Sequence, residues 1–420
     1  MKIKGIHFEY FRGFENLEVR FPADAQSIVF IGENGSGKTS LVDAMSILLQ
    51  WAFWQKPLFP TIEETPNYDY SQRNPDIHNL ATTATIELDI EHDEQQFLVL
   101  QNIDTSMSPV HPSEPRRFQY LMNQESFLIL HYTAQKINLD SFKEASPTAF
   151  RIPMTTEFNL ISDWFIEHEN AENHKRLRID TNYRSPELEI VRKVMLEGLS
   201  LLNGNADSFS ELQTEVDDTV KDGQVISWLS IKKNGVRLKV NQLSDGEKRV
   251  IILLIDIARR LITVAKKNNK TDFLNGHGIV LIDEIEQHLH PKWQRMLLPT
   301  LNTIFPNIQF IVTTHSPQVI SYVKNGGVFT LANGQAYPQN TYGRDNEWLL
   351  EEVMQDVNRP KEVEAKLNTY FQYIREGELA MAQSLRQELE TLIGEDEPEF
   401  IKADILIRRK QKSATQHEAN

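Results

Sequence analysis

Eight residues constrain this chain more than any others: Gly32-Glu-Asn-Gly-Ser-Gly-Lys38-Thr39, which satisfy the spacing G-x-x-x-x-G-K-[ST]. Before them, Ser27 to Gly32 (SIVFIG) read as a short buried strand ending in glycine. After them, from Thr39 to about Trp54, Leu41, Val42, Ala44, Met45, Leu48 and Leu49 recur at helical spacing. A strand that turns through glycines directly into a helix facing a sheet predicts an α/β fold. Glycines let the backbone curl so that successive N–H groups converge, and the new helix adds its positive dipole end. The loop therefore predicts a phosphate site, in which Lys38 reaches the β and γ phosphates and the Thr39 hydroxyl ligates Mg²⁺. A glycine-rich turn before a helix is the plainer alternative.

The chain is 420 residues long and 40% apolar, enough for one large or two modest domains with a real core. With 44 Lys+Arg against 59 Asp+Glu, its net charge of −15 repels phosphate backbones and membrane surfaces, so nucleic-acid contact would need a local basic patch. The lack of cysteine excludes disulfides, thiolate zinc sites, Fe–S clusters and thiol nucleophiles, and suits a reducing compartment. The opening MKIKGIHFEYFRGFENLEV mixes charge into every turn and lacks the apolar block of a signal peptide. The greasiest run, Val250 to Ile255, stops at Asp256 and is too short to span a bilayer. A soluble, cytoplasmic protein without membrane contact is expected.

Alternating strands open the chain, and residues 55–80, rich in Pro, Asn and Asp, read as a surface excursion. Thr83 to Ile90 and Gln96 to Ile103 read as strands around a polar turn. Between about 111 and 224 the pattern becomes mainly helical, with periods over Ile161 to Glu169 and Pro186 to Leu202 but no long heptad run. Val225 to Lys232 and Val236 to Val240 form a hairpin around Asn234-Gly235. After 345 a stripe of Leu379, Ala382, Leu385, Leu389 and Leu392 leads to Gly394 as a C-cap. Residues 346–420 are acidic, with sixteen acids against ten Lys/Arg.

Gly278-Ile-Val-Leu-Ile-Asp283-Glu284 is an apolar run too short for a helix that ends in two carboxylates, as a buried parallel strand reads. Ligands gather at the carboxyl ends of such strands, which puts Asp283 in the Mg²⁺ shell and Glu284 in place as general base toward a water. Leu243-Ser-Asp-Gly-Glu-Lys-Arg249 precedes an apolar helix. Ser244 and Gly246 could make an anion site there, or Ser244 with Glu247 could be an N-terminal capping box. His315, in Thr-Thr-His-Ser-Pro, could bond a γ-phosphate or the water, or stand in solvent.

In this order the four elements resemble the ATPase heads of the ABC class, in its SMC/RecF branch. Phe11-Arg12-Gly13-Phe14 resembles that branch's N-terminal motif, LSDGEK its signature, Glu286-Gln-His-Leu-His-Pro291 the segment after Walker B that abuts a partner head, and Thr314-His315-Ser316-Pro317 its switch histidine. The resemblance covers about 1–110 and 225–330. It implies an α/β P-loop ABC/SMC-type head in two stretches, 1–110 and 225–345, with a mainly helical insertion at 111–224 and a helical C-terminal tail at 346–420. ATP would be held by Arg12, Gly32, Asn34, Gly35, Ser36, Gly37, Lys38, Thr39 and Ser40, and by Ser244 and Gly246 in trans across a head-to-head homodimer. Mg²⁺ would lie on Thr39 and Asp283, with Glu284 and His315 catalytic. The sequence departs from the pattern in its short insertion and in lacking a clear glutamine loop, for which Gln101 and Gln135 are the candidates.

The remainder is similar to the ATPases of Septu and retron-linked anti-phage systems, the PtuA type, through Asp163-Trp164-Phe165, Glu172-Asn173, Tyr183-Arg184, Tyr342-Gly-Arg-Asp345 and Arg359-Pro360. That likeness implies an HNH nuclease made as a separate chain, and possible assembly beyond the dimer. Basic clusters that could touch DNA or RNA are His174-Lys-Arg-Leu-Arg178; Lys232, Lys233, Arg237 and Lys239; Arg259, Arg260, Lys266, Lys267 and Lys270; and Arg408-Arg-Lys410. The acidic tail suits a protein partner or self-assembly. A RecF-like DNA-binding ATPase in genome maintenance is the alternative function.

Overall fold

In the computed structural model three short runs have every residue buried: β3 (Ser27–Ile31), β11 (Gly278–Ile282) and β12 (Ile308–Thr313). Such runs are apolar on both faces because both faces are covered, which makes them the centre of a parallel sheet. The structure describes residues 1–54, 81, 83–104, 127–133, 151–153, 157–204, 208–217, 226–355 and 359–417. The expected excursion at 55–80 and Gln135 lie outside them, as does the side chain of Gln101.

With β6 (Leu128–Thr133), β7 (Arg151–Pro153), β13 (Val328–Ala332) and β14 (Gln335–Gln339), these strands form a seven-stranded sheet in the order β14-β13-β3-β12-β11-β6-β7. All its pairings are parallel except the β13–β14 hairpin at one edge. A second, antiparallel sheet, β2-β1-β4-β5, is built from β1 (Lys2–Phe11), β2 (Phe14–Arg20), β4 (Thr83–His92) and β5 (Gln95–Asp104). Helix α1 (Lys38–Trp54) packs between the two, and its Leu41, Met45 and Leu48 share one core with Phe8 and Ile86 of the antiparallel sheet and Ile28 and Ile311 of the parallel one. The helix that leaves the glycine loop is thus fixed on both sides.

Helices α2 (Glu157–Arg178), α3 (Pro186–Asn203), α4 (Asp245–Lys267) and α5 (Pro291–Ile304) complete the layer, α3 packing against both α4 and α5. At Gly198 of α3 a Cβ would stand 2.5 Å from Leu254 Cδ1, so the glycine sets how closely α3 approaches α4. The hairpin β9 (Ile226–Lys233) and β10 (Val236–Lys239) adds β8 (Phe209–Asp217) to form a third sheet, β10-β9-β8.

Within the expected insertion over 111–224, helices α2 and α3 make up most of the described residues, and three strands lie there as well. β6 runs in full register with β11 inside the main sheet, β7 extends that sheet, and β8 pairs with β9; helix occupies Glu157–Asn203 with one turn between. Leu128–Thr133 is a short run without alternation whose partner lies far along the chain, so periodicity could not assign it.

The chain divides into two compact units, Met1–Leu349 and Leu350–Asn420. The second contains α7 (Lys361–Glu376), α8 (Leu379–Ile393) and α9 (Pro398–His417), numbered after the short α6 (Pro317–Ile320). Its core is Val363, Leu367, Tyr370, Ile374, Ala382, Leu389, Phe400 and Ala403. Leu385 packs on that core, while Leu392 is 51% exposed, so the expected stripe ends a turn early. Gly394 donates its N–H to Glu390 O at 3.0 Å, as a cap should. Among the described residues no helix is long and apolar enough to cross a membrane.

Candidate nucleotide-binding site

Because β3, β12 and β11 are parallel neighbours, the segments that leave their carboxyl ends emerge on one rim of the sheet: the glycine loop, Thr314-His315 and Asp283-Glu284. The glycines are required sterically. A Cβ at Gly32, whose φ is +152°, would lie 2.5 Å from Leu331 O and 2.6 Å from Ser36 Oγ. At Gly37, with φ +96°, it would lie 2.5 Å from Phe14 Cζ. Phe14 is buried, so the Phe11-Arg12-Gly13-Phe14 turn supplies the surface on which the loop rests.

Lys38 Nζ donates to the carbonyls of Gly32 and Glu33, each at 2.8 Å. Burial pushes its pKa below the ordinary 10.5, against the opposing pull of Asp283, Glu284 and Glu286. Ser36 Oγ is buried without a hydrogen-bond partner. A cradle that admits no Cβ, an orphaned hydroxyl and a buried ammonium together fit the anionic oxygens of a phosphate chain. Asn34 and Gly35 are exposed on the loop, and Ser40 is half-buried in the first turn of α1.

Thr39 Oγ1 lies 3.1 Å from Asp283 Oδ2 and 3.4 Å from Oδ1. The Thr313 hydroxyl also donates to Asp283, and the Asp283 N–H is anchored on Tyr132 O at 2.9 Å. A hydroxyl facing a carboxylate is the hard-oxygen set that fits Mg²⁺. Next to it, Glu284 adopts φ +49°, a conformation that non-glycine residues avoid. Two bonds hold it there: its N–H to Thr313 Oγ1 at 2.9 Å and Arg249 Nη2 to its carbonyl at 2.9 Å. Arg249, itself buried, also donates to Gln287 Oε1 at 2.6 Å.

The Thr314-His315 segment is tied to the same turn. The His315 N–H donates to Glu286 Oε1 and the Thr314 hydroxyl to Glu286 Oε2, both at 2.6 Å. Arg12 bonds Asp43 Oδ2 of α1 at 2.9 Å, linking the β1–β2 turn to the helix that leaves the loop. Ser244 is the N-cap of α4: its hydroxyl accepts the Glu247 N–H at 3.3 Å while Glu247 Oε2 accepts the Ser244 N–H at 3.0 Å. The capping box read in the sequence is therefore present. Gly246 packs against its own chain, where a Cβ would meet His288 O at 2.4 Å.

Lys38, Thr39, Asp283, Glu284 and His315 thus share one rim, whereas Ser244 and Gly246 are occupied with local contacts. Sequence reasoning gave no role to Thr313 or Arg249, and placed Glu286 only in a segment expected to abut a partner head. Arg249 is buried, and a buried cation must find acceptors, but that burial is not visible in the sequence.

The basic clusters fare unequally. In the hairpin, Lys232 and Arg237 both pair with Glu211, Lys233 with Glu247, and Lys239 lies 3.8 Å from the centre of the Trp228 ring. Arg259 and Arg260 converge on fully buried Asp256, which also accepts from the Tyr132 hydroxyl at 2.6 Å, and Lys266 pairs with Glu187. At the end of α2, Arg176 and Arg178 pair with no carboxylate among the described residues.

Residues 27–321, more than half of the chain, match the family described as "AAA domain, putative AbiEii toxin, Type IV TA system". The chain belongs to that family. Among relatives of this AAA family member, the Retron Ec83 probable ATPase of Escherichia coli is 30% identical, the match covering 86% of this chain and 78% of that one. The Retron Vc95 probable ATPase of Vibrio cholerae serotype O1 biovar El Tor is 26% identical over 90% and 84% respectively. The Septu protein PtuA of Bacillus mycoides (strain KBAB4) is 23% identical over 79% of this chain and 41% of its own length. The retron and Septu resemblance read from the sequence is the one these comparisons return. Among solved structures, the SMC head domain from Thermotoga maritima aligns at 16% identity with a TM-score of 0.44, over 81% of this chain and 100% of that one.

Proposed function

We propose that this AAA family member is an Mg²⁺-dependent ATPase of anti-phage defence, which dimerises head to head around ATP and controls a separate HNH-type nuclease. The contact that carries the ATPase reading is Thr39 Oγ1 against Asp283 Oδ2, with strained Glu284 beside it. The relatives named as retron and Septu proteins support the defence setting.

On ATP binding, Lys38 would exchange its two carbonyl partners for β and γ oxygens, and loop N–H groups with the Ser36 hydroxyl would take the rest of the charge. Mg²⁺ on Thr39 and Asp283 would screen the phosphates. Glu284 would accept the proton of the attacking water, its position fixed by Thr313 and Arg249 so that little reorganisation is left for the reaction. His315 would orient that water or the γ-phosphate.

The test is nucleotide binding and turnover in two variants. Lys38→Ala should abolish binding. Glu284→Gln should bind ATP and lose about a hundredfold or more in turnover, because only the proton acceptor is gone. Equal turnover in Glu284→Gln and the parent removes Glu284 as base. For the dimer, in which Ser244 and Gly246 would close over the partner's ATP, mixing Lys38→Ala with Ser244→Arg should restore about half the sites at most. Full activity of each variant alone defeats the shared site. For the effector, residues 111–224 and the tail are the proposed dock; a chain ending at Leu349 that hydrolyses ATP but loses the co-expressed nuclease supports the tail.

A further inference from the structure

The turn after β11 is tied to the end of β12 by two bonds, both accepted by Thr313: the Glu284 N–H to Thr313 Oγ1 at 2.9 Å and the Ile285 N–H to Thr313 O at 3.1 Å. Beyond that point a side chain continues the connection. We propose that Glu286 is the positioning residue for the switch-histidine loop, its carboxylate setting where His315 stands relative to Glu284.

The geometry is that of a two-pronged clamp. One oxygen accepts the fixed backbone N–H of His315 and the other accepts the Thr314 hydroxyl, both at 2.6 Å, the short lengths of charge-assisted bonds. Thr314 Oγ1 in turn accepts the Ser316 N–H at 3.0 Å, and the Ser316 hydroxyl donates to Gln294 Oε1 of α5 at 2.6 Å. The loop is therefore gripped from the β11 side by Glu286 and from the other side by α5.

A carboxylate is suited to this place because it only accepts, and here both neighbours donate. Glutamine offers one oxygen and would turn an NH₂ group toward the second donor. Burial lowers the pKa of both Lys38 and Arg249 and the Glu286 charge opposes that, so Glu286 belongs to the charge balance of the rim without being required to touch the nucleotide. Base and histidine then hang from one short turn, Glu284 held by Arg249 and Thr313, and His315 held by Glu286.

The proposal rests on the ATPase reading for its kinetic consequence only, so the full chain is tested in two ways. The first is amide hydrogen exchange: Glu286→Gln should speed exchange at the His315 amide by about tenfold, as a freed loop opens more often. The second is a turnover cycle over Glu286→Gln, His315→Ala and the double variant. Glu286→Gln should lower kcat about tenfold with KM for ATP within about twofold, and should add less than about twofold once His315 is already alanine. Thr314→Val removes one prong without changing the side-chain volume and serves if Glu286→Gln melts early; it should show the same direction with a smaller loss. Unchanged exchange at His315 overturns the clamp whatever turnover does. A full tenfold loss in the His315→Ala background overturns the route through the histidine. A parent chain that turns over no more ATP than Lys38→Ala counts against the ATPase reading instead, and exchange still judges Glu286.

Discussion

Gly37 and Gly377 hold nearly the same positive φ, +96° and +89°, yet a methyl group at Gly37 would stand 2.5 Å from Phe14 Cζ and one at Gly377 would meet nothing within 4 Å. The first closes the loop at the rim of the parallel sheet. The second ends α7 in the C-terminal unit with an N–H bond to Tyr373 O at 3.0 Å, an ordinary left-handed cap. The contrast extends to their surroundings. At the rim, Glu284 keeps a backbone that its residue type disfavours, and Lys38 stays buried although burial lowers its pKa. In the C-terminal unit the contacts are those of helix packing: a small apolar core, glycine caps, and Arg386 pairing with Glu390 and Asp404 while lying 5.1 Å from the centre of the Phe400 ring. A glycine is needed for its missing side chain where another segment closes on it, and only for its φ where none does.

The largest expected separation comes from the two glycines themselves. Gly37→Ala should weaken ATP binding about a thousandfold, since the methyl group both clashes with Phe14 and strains φ, whereas Gly377→Ala should cost about 1 kcal/mol of stability and leave affinity unchanged. Titration with a fluorescent ATP analogue, beside thermal melts, reads both; equal affinities would end the contrast.

Next in size is the core of the C-terminal unit. Leu389 is fully buried there, so Leu389→Ala should destabilise that unit by about 3 kcal/mol, seen as an earlier unfolding step, while nucleotide turnover at low temperature is retained. Loss of turnover in step with that transition would mean that the rim depends on the helices.

The smallest effect tests ion pairs away from the rim. Burial alone would raise the Glu187 pKa, but hydrogen bonds from Lys266 and Ser185 bring it from 4.5 down to about 2. A depressed carboxylate contributes stability that is present above pH 4.5 and is lost as the pH falls through about 2. Lys266 is 53% exposed, so solvent screening limits the contribution to about 1 kcal/mol. Denaturant unfolding of Glu187→Gln against the parent should therefore differ slightly at pH 7 and converge in acid. A gap that widens with acidification would reverse the assigned sign.

The parts legible in the sequence were those whose reason is local. The glycine loop, the apolar run into Asp283-Glu284, the Asn234-Gly235 hairpin and the Ser244–Glu247 cap each lie within a dozen residues and fix their own geometry. β6 was not legible because Leu128–Thr133 declares itself a strand only through its pairing with β11. The bonds of Glu286 and Arg249 escaped for a related reason. Their partners are backbone groups 29 and 35 residues away, and nothing in a residue's own neighbourhood announces such a bond.

The strand order also fixes when the molecule can exist during its own synthesis. β3 leaves the ribosome long before its neighbours on both sides, β12 and β13, which are Ile308–Thr313 and Val328–Ala332. Until those strands have been translated, SIVFI is an apolar strand with two open edges and no parallel sheet to join. Pairings this distant are slow to close and leave such an edge exposed meanwhile. A nascent chain would need shielding, by a chaperone or by its own antiparallel β1–β2 layer, and a messenger cut short before residue 328 would yield a polypeptide with every residue of the glycine loop and only one side of the sheet to carry it.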